Sequence, residues 1–287
     1  MGRSVEYHRP VSVSDACDLL RTLGPDALPL AGGTDVMVDL RRRTKRPRHL
    51  VSLAELEELR GITHRNGDLR IGALVTPAQL LASEQVALAR PELLDAVGVF
   101  GTPQVRYRAT VGGNLCTAAS CGDLAPLLMA FGARVVVATP EGPREFSLEA
   151  FFGHHRETIL EPGHLLVEVI VSDRAPGEGA AYQAFGLRAT NFITVASVAA
   201  FLKWEAGRCT AARLALGAVA PTPMLVPAIE EGLVGGNLED DALAKMGVVA
   251  GKAADPISDI RGSAEHRREL VEKLCIRALR VARERAQ

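Results

Sequence analysis

The sequence is poor in aromatic residues and has no long apolar run. Aromatic residues make up only 4% of the 287 residues, so the core must be built mainly from valine, leucine, isoleucine and alanine. No stretch approaches the roughly 20 apolar residues that a membrane-spanning helix requires. The start, MGRSVEYHRPVSVSDA, lacks the apolar segment of a secretory signal. We therefore expect a cytoplasmic protein with no membrane span.

The cysteines and histidines give no sign of a disulfide framework or a metal site. The five cysteines are odd in number, scattered, and form no C-x-x-C pair. Cys116 and Cys121 are interpreted as small buried thiols rather than iron–sulfur ligands, because no multi-cysteine segment surrounds them. His154 and His155 are adjacent, face different ways in regular structure, and are expected at the surface. We predict no metal site in this chain.

The charge balance argues against a nucleic-acid partner. Lysine and arginine number 33 against 34 acidic residues, which gives a net charge of −1 and no general attraction to phosphate polymers. One local basic run, RRRTKRPR at residues 41–48, stands out. We interpret it as a solvated face or as an edge that docks a partner subunit.

The pattern along the chain predicts three units. The first sixty residues alternate strand, helix and strand, which is typical of a small α/β unit with parallel strands (residues 1–60). Its first helix, in VSVSDACDLLRTLG, has Ser14 or Asp15 as the expected N-cap. Residues 61–175 read as α+β, and the segment 172–181, SDRAPGEGAA, reads as a linker. Residues 180–287 form a C-terminal domain that includes a long amphipathic helix within EHRRELVEKLCIRALRVARER.

Two Gly-Gly segments follow apolar runs: LAGGTDV at residues 30–36 and TVGGNL at 110–115, the second predicted as a strand that enters a turn. Successive N–H groups of a glycine turn can point into one concavity and hold an anion, most commonly phosphate. Neither segment continues as a P-loop, and neither has the G-x-G-x-x-G spacing. Two readings stay open: each is merely a tight turn, or the two together grip the pyrophosphate of a dinucleotide on another scaffold.

The order and spacing of several segments resemble one known family. The segments are PLAGGTDVMVDLRRR, LVSLAELEELRGI, DLRIGALVT, GTPQVRYRATVGGNL, DLAPLLMAFGARVVV, FFGHHRETIL and DIRGSAEHRRELV. Together they look like the FAD-binding medium subunit of molybdenum hydroxylases, the family of carbon monoxide dehydrogenase and xanthine dehydrogenase. The resemblance implies an α+β fold: a two-lobed FAD-binding domain of the vanillyl-alcohol oxidase (PCMH) type, followed by a smaller α+β C-terminal domain.

The resemblance also implies the cofactor-binding residues. Phe100 matches an aromatic residue that touches the dinucleotide, and Asp123 an acidic residue that hydrogen-bonds the ADP part. Leu165 or Leu166 matches an apolar contact near the flavin, and Ile193 a residue against the isoalloxazine ring. The two glycine loops correspond to Pro29, Leu30, Ala31, Gly32, Gly33, Thr34, Asp35 and Val36, and to Thr110, Val111, Gly112, Gly113 and Asn114. The family's lysine near Ala184 is missing, which makes Arg188 a candidate replacement.

The function implied by the resemblance is that of a flavin-dependent oxidoreductase subunit with non-covalent FAD and no catalytic side chain of its own. Electrons would come from a molybdopterin large subunit through the [2Fe–2S] clusters of a small subunit. They would leave to NAD⁺, a quinone or oxygen. Two alternatives stay open: a stand-alone FAD-dependent oxidase or dehydrogenase with its own small organic substrate, and a nucleotide-binding scaffold without turnover.

Overall fold

A small parallel sheet comes first in the computed structural model, which describes residues 4–287. Its strands are β1 (Glu6–His8), β2 (Ala27–Leu30) and β3 (His49–Ser52), in the order β1-β3-β2. Two helices accompany them, α1 (Val13–Leu23) and α2 (Val36–Arg42). The predicted parallel β-α-β arrangement is present. The predicted N-cap of α1 is wrong, because Ser12 accepts the Asp15 N–H and so begins the helix earlier.

A five-stranded antiparallel sheet follows, in the order β4-β5-β8-β6-β7. Its strands are β4 (Ile62–Arg65), β5 (Asp68–Gly72), β6 (Arg134–Thr139), β7 (Gly142–Ser147) and β8 (Leu165–Ser172). Seven short helices connect them: α3 (Pro77–Ala82), α4 (Glu84–Ala89), α5 (Leu93–Val99), α6 (Pro103–Arg106), α7 (Val111–Thr117), α8 (Leu124–Ala130) and α9 (Leu148–Phe151). Apolar side chains of these helices and of strands β5, β6 and β8 form the largest core.

The segment ATVGGNL is a helix start and not the predicted strand. Thr110 lies in extended conformation and its side chain accepts the Gly113 N–H at 3.0 Å, so it caps α7. The N–H groups of Val111 and Gly112 donate to the carbonyl groups of Val75 and Ala73 at 2.8 and 2.9 Å. These bonds to the residues after β5 fix the helix start, although Val-Gly-Gly has low helix propensity.

The C-terminal part forms a four-stranded antiparallel sheet, in the order β12-β11-β10-β9, covered by helices. The elements are β9 (Glu178–Phe185), β10 (Ala196–Glu205), β11 (Arg208–Gly217), β12 (Met224–Leu225), α10 (Ala228–Leu233), α11 (Asp240–Ala253) and α12 (Ala264–Ala286). Strand β10 is apolar on both faces. Ala199 and Phe201 belong to the large core, whereas Val198 and Leu202 pack in a second core with the helices.

The segment between the last two sheets is shorter than the predicted linker 172–181. Strand β8 ends at Ser172 and β9 already begins at Glu178. Arg90, only 2% exposed, spans this junction, since it donates to the Ser172 carbonyl at 2.6 Å and pairs with Glu178 at 2.8 Å. The C-terminal sheet is therefore tied directly to the preceding one.

The architecture confirms the predicted α+β fold class, with two lobes followed by a smaller C-terminal part. The domain boundaries near residues 60 and 175–180 stay predictions. Across residues 4–287, every helix is too short or too polar to cross a membrane.

Candidate functional site

A cleft between the first sheet and the start of α7 brings the two glycine segments together. The space between its walls, open solvent included, amounts to about 910 Å³. Apolar side chains of Leu160 and Leu165 form part of the wall. The predicted site residues that line it are Pro29, Ala31, Gly32, Gly33, Thr34, Asp35, Val36, Thr110, Gly112, Gly113 and Leu166.

Gly32 in the first segment lies against the chain just before the second segment. A Cβ atom on Gly32 would lie 1.7 Å from the carbonyl oxygen of Arg108 and 3.1 Å from the Cα of Ala109. No side chain fits there, so glycine is required for the first turn to lie against the chain that leads into α7. The neighbouring Gly33 has a φ of +76°, a left-handed conformation that glycine adopts without strain.

The first glycine turn presents amide groups that have no acceptor. Within residues 4–287, the N–H groups of Gly32, Gly33, Thr34 and Asp35 donate to no protein atom. Consecutive N–H groups in such a turn form a concavity with positive partial charge, which binds anions. Thr34 lines the same cleft, and its side chain carries a hydroxyl that can donate. The first turn therefore presents several unpaired donors to the cleft.

The second glycine segment contributes differently. The N–H groups of Val111, Gly112 and Gly113 are already bound to Val75, Ala73 and Thr110. Free N–H donors thus come from the first turn, and the second segment supplies the opposite wall. Asn114, in the same segment, does not line the cleft; its Oδ1 atom is buried and has no hydrogen-bond partner in the described part of the chain. A buried carbonyl oxygen of this kind costs free energy unless a ligand donates to it.

Two basic residues at the cleft were not predicted from the sequence. Arg156 donates to Asp39 Oδ2 at 3.0 Å and is thereby neutralised, while Thr44 donates to Asp39 Oδ1 at 3.0 Å. Lys45 also lines the cleft and, among the residues the structure describes, has no carboxylate within 4 Å. Lys45 belongs to the basic run 41–48, and the positive charge of that run was the sequence feature that could have indicated it. Part of that run thus faces the anion-binding turn.

Several predicted residues lie outside the lining of this cleft. Leu30 is the last residue of β2, and Val111 is 1% exposed with its side chain in the core. Phe100 is 7% exposed and packs in the same large core. Arg188 lies in an exposed loop and lines neither this cleft nor the second cavity.

Asp123 connects to the C-terminal domain. Its Oδ1 atom accepts hydrogen bonds from the Thr194 hydroxyl at 2.6 Å and from the Tyr182 hydroxyl at 3.0 Å. Burial raises the pKa of Asp123 to about 6, although both hydrogen bonds act to lower it. The same burial, together with the Asp123 charge, holds the pKa of Tyr182 well above its usual value.

A second cavity lies beside Thr194, between the loop after α9 and the C-terminal domain. Ile193, which is 53% exposed, lines it together with His154 and His155, both at the surface as predicted. Arg267 borders the cavity and is 5% exposed. It donates to the carbonyl groups of Val195 and Ala218 at 3.0 and 2.9 Å. The arginine that follows the stretch DIRGSAEH thus joins the ends of two strand-flanking segments through these hydrogen bonds.

Arg106, Cys116 and Cys121 lie close in sequence to the second glycine segment. Arg106 donates to the carbonyl groups of Gly98 and Phe100, so it braces the loop before α7 and does not face the cleft. Cys116 and Cys121 are free thiols that are partly buried. Burial raises the pKa of Cys116 to about 12, which keeps its thiol neutral.

Comparisons with known proteins agree with this architecture. Residues 3–172 match the family described as the FAD binding domain in molybdopterin dehydrogenase, and residues 180–282 match the CO dehydrogenase flavoprotein C-terminal domain. The chain is 34% identical to the carbon monoxide dehydrogenase medium chain of Afipia carboxidovorans, over 99% of this chain and 98% of that one. It is 32% identical to the xanthine dehydrogenase FAD-binding subunit of Escherichia coli O157:H7, over 93% and 92%. The crystal structure of Cu,Mo-CO dehydrogenase superposes with a TM-score of 0.95 at 33% identity, covering 99% of this chain and 100% of that one.

The class defined by fold and cleft is that of FAD-binding oxidoreductase subunits. Within it, the chain belongs to the family of FAD-binding medium subunits of molybdenum hydroxylases. Its cofactor is FAD, and it is a component of a flavin-dependent oxidoreductase. The cleft fits that cofactor, because the first turn, which lines it, offers free N–H donors for a pyrophosphate.

Proposed function

We propose that this chain relays electrons through FAD inside a molybdenum hydroxylase. The electrons arrive from [2Fe–2S] clusters on a small partner subunit, which receives them from a molybdopterin large subunit. They leave to an external acceptor such as NAD⁺, a quinone or oxygen. The observation that carries the proposal is the anion-binding cleft of a chain whose relatives are named medium chains and FAD-binding subunits. Bound FAD supplies the capacity to accept and release electrons.

In this proposal the first glycine turn and Lys45 hold the phosphates. The free N–H groups of Gly32 to Asp35 supply directional donors, and the Lys45 ammonium supplies positive charge without a competing carboxylate. Thr110 and Gly113 close the cleft from the other side. Non-covalent retention of the cofactor then depends on these contacts.

The remaining predicted contacts are part of the same proposal. Leu166 and its neighbour Leu165 form an apolar wall of the cleft and are assigned to the flavin end. Asp123 keeps the assignment to the ADP part through Oδ2, the atom that neither Tyr182 nor Thr194 occupies. Phe100 and Ile193 keep their predicted assignments to the dinucleotide and to the isoalloxazine ring.

Replacing Lys45 by alanine is expected to weaken FAD binding about five- to tenfold, which corresponds to roughly 1 kcal/mol for one exposed charge near a phosphate. The effect should shrink at high salt, because the charge is exposed and screened. Titration of the FAD-depleted protein with FAD, followed by flavin fluorescence, measures it. Arg46→Ala is the matched control, since Arg46 is equally exposed but does not line the cleft. Equal affinities of the two variants would remove Lys45 from the site.

The relay itself is tested by affinity purification of the tagged chain from its native host. We expect two further chains to co-elute, one with iron and labile sulfide and one with molybdenum, in addition to FAD. In that complex the oxidised flavin absorbance should bleach when the hydroxylated substrate is added without an acceptor. The isolated chain, loaded with FAD, should not bleach with the same substrate.

The outcomes separate the proposed relay from its alternatives. Bleaching of the isolated chain by a small organic substrate would establish a stand-alone oxidase or dehydrogenase. If the isolated chain binds no flavin, the result would instead support the second alternative, a scaffold protein without catalytic turnover. The cytoplasmic location stays a prediction, which fractionation of the same host would check.

A further inference from the structure

Three metal-binding side chains converge at the edge of the first sheet, away from the cleft. Glu6 and His8 are two residues apart on β1, so they lie on one face of the sheet. His49 is paired directly with Glu6 on the parallel strand β3 and therefore lies on the same face. The donor atoms of these three side chains all lie within 4.8 Å of one another. Residues 4–287 contain no other such group of three or more potential metal ligands.

The distances between the donor atoms match those around a tetrahedral metal ion. His8 Nε2 lies 3.1 Å from His49 Nδ1, and His49 Nδ1 lies 3.3 Å from Glu6 Oε2. Bonds of about 2.0–2.1 Å in tetrahedral geometry place neighbouring ligand atoms roughly 3.3–3.4 Å apart. The third separation, Glu6 Oε2 to His8 Nε2, is 3.9 Å. A small rotation of the Glu6 side chain, which is 69% exposed, closes it.

The surroundings favour a cation at this position. The side chains of His8 and His49 are only 25% and 18% exposed, so the strands hold both rings beside the small core that contains Val51. The neighbouring cations are neutralised elsewhere, because Arg9 pairs with Glu55 and Arg48 pairs with Asp26. Among the residues that the structure describes, Glu6 supplies the carboxylate that lies within 4 Å of both imidazoles.

We propose that Glu6, His8 and His49 form a binding site for a divalent transition metal of the zinc class. Two imidazole nitrogens and one carboxylate oxygen are ligands that zinc prefers, and water completes the fourth position. The metal links the short edge strand β1 to β3, across residues 41 apart in sequence. Because of that separation, the sequence shows no recognisable ligand spacing. The prediction from the sequence was therefore that the chain has no metal site.

The site is independent of the FAD cleft and of the proposed relay. His49 pairs with Ala27 at the first residue of β2, whereas the glycine turn follows Leu30 at the opposite end of that strand. Metal binding should therefore stabilise the first sheet without changing FAD content. Failure of the metal site would leave the electron-transfer proposal untouched, and the reverse also holds.

Equilibrium dialysis of the full-length, untagged and chelator-treated protein against Zn²⁺, with metal analysis, tests the site. We expect one zinc per chain and an increase in the thermal midpoint on binding. Co²⁺ in place of Zn²⁺ should give the visible d–d absorption of a four-coordinate site, read as a difference spectrum above the flavin bands. His8→Asn and His49→Asn should each weaken zinc affinity more than about tenfold, because even loss of a hydrogen-bond partner of a ligand costs 10–100-fold.

His64→Asn is the matched control, because His64 also lies on a strand and has a carboxylate partner, Asp173, but has no second imidazole beside it. It should bind zinc like the wild type. FAD content serves as the folding control for all three variants. Zinc bound equally well by the wild type and His8→Asn, or octahedral Co²⁺ spectra, would overturn the proposal and leave only a hydrogen bond between two histidines.

Discussion

Gly32→Ala is expected to yield protein that retains little FAD and unfolds at lower urea concentration than the wild type. The added Cβ atom would lie 1.7 Å from the carbonyl oxygen of Arg108 and 2.7 Å from its carbonyl carbon. Both are backbone atoms, which cannot rotate away as a side chain would. The first glycine turn must therefore separate from the chain before α7, which widens the cleft. Forced overpacking of this kind typically costs about 1–3 kcal/mol, and more where backbone must move.

Gly98→Ala is the matched control for this prediction. Gly98 lies within α5, and a Cβ atom there meets nothing within 4 Å. Alanine should keep the FAD content and leave stability unchanged or raise it by up to about 0.5 kcal/mol, since Gly98 lies in the last turn of the helix. The measurements are the ratio of flavin to protein absorbance after gel filtration and a urea unfolding curve. Wild-type FAD content in Gly32→Ala would show that the cleft does not depend on contact between the two segments.

Elements with a local signal were predictable from the sequence. The alternation of strand and helix over the first sixty residues indicated parallel strands, and parallel strands are present. The apolar positions Leu270, Leu274 and Ala278 have helical spacing and lie on one face of α12. In both cases the apolar residues recur at regular intervals because they lie on the side of the element that packs against the core.

The start of α7 was not predictable, because its cause is not local. Val-Gly-Gly disfavours a helix by intrinsic propensity. The helix forms because Ala73 and Val75, far away in sequence, accept the N–H groups of Gly112 and Val111. Gly112 is needed for that contact, since a Cβ atom on it would lie 2.7 Å from the Ala73 Cβ. The second Gly-Gly pair thus serves close packing, whereas the first leaves its N–H groups free.

The glycine turns of the cleft could be predicted from sequence motifs, whereas its basic residues could not. The glycine turns were recognisable because few residue types produce that backbone. Lys45 and Arg156 come from segments without a motif, and Arg156 meets Asp39 from 117 residues away. Such tertiary pairs leave no spacing pattern in one sequence. The basic run 41–48 showed charge, and only the fold reveals that Lys45 faces the cleft.

Asp123→Asn is expected to raise the free energy of unfolding at pH 7.5 and to leave it nearly unchanged at pH 4. Burial raises the pKa of Asp123 to about 6 in the folded protein, against 3.8 for the ordinary carboxyl group. The folded state therefore binds this proton more tightly than the unfolded state. The contribution of Asp123 to stability falls as the pH rises from about 4 to 6, because the carboxylate must then be charged while buried.

Asparagine removes that charge and keeps the hydrogen bonds. Its Oδ1 atom can still accept from Tyr182 and Thr194, so the link to the C-terminal domain is preserved. A shift of about two pKa units corresponds to a gain of up to about 3 kcal/mol above pH 6. Urea unfolding of the FAD-free protein at pH 4, 5, 6 and 7.5 measures it. The exposed Asp241→Asn serves as the control and should change stability by less than about 0.5 kcal/mol at every pH.

The same variant separates the structural role of Asp123 from its proposed contact with FAD. If Oδ2 accepts a hydrogen bond from the ADP part, Asp123→Asn should bind FAD more weakly while its FAD-free form is more stable at neutral pH. If Asp123 serves only the bonds to Tyr182 and Thr194, stability rises and FAD affinity does not change. A variant less stable than the wild type at pH 7.5 would contradict the raised pKa, because it would mean that the folded state gains from the charge. The two measurements together thus show whether Asp123 binds the cofactor in addition to its bonds to Tyr182 and Thr194.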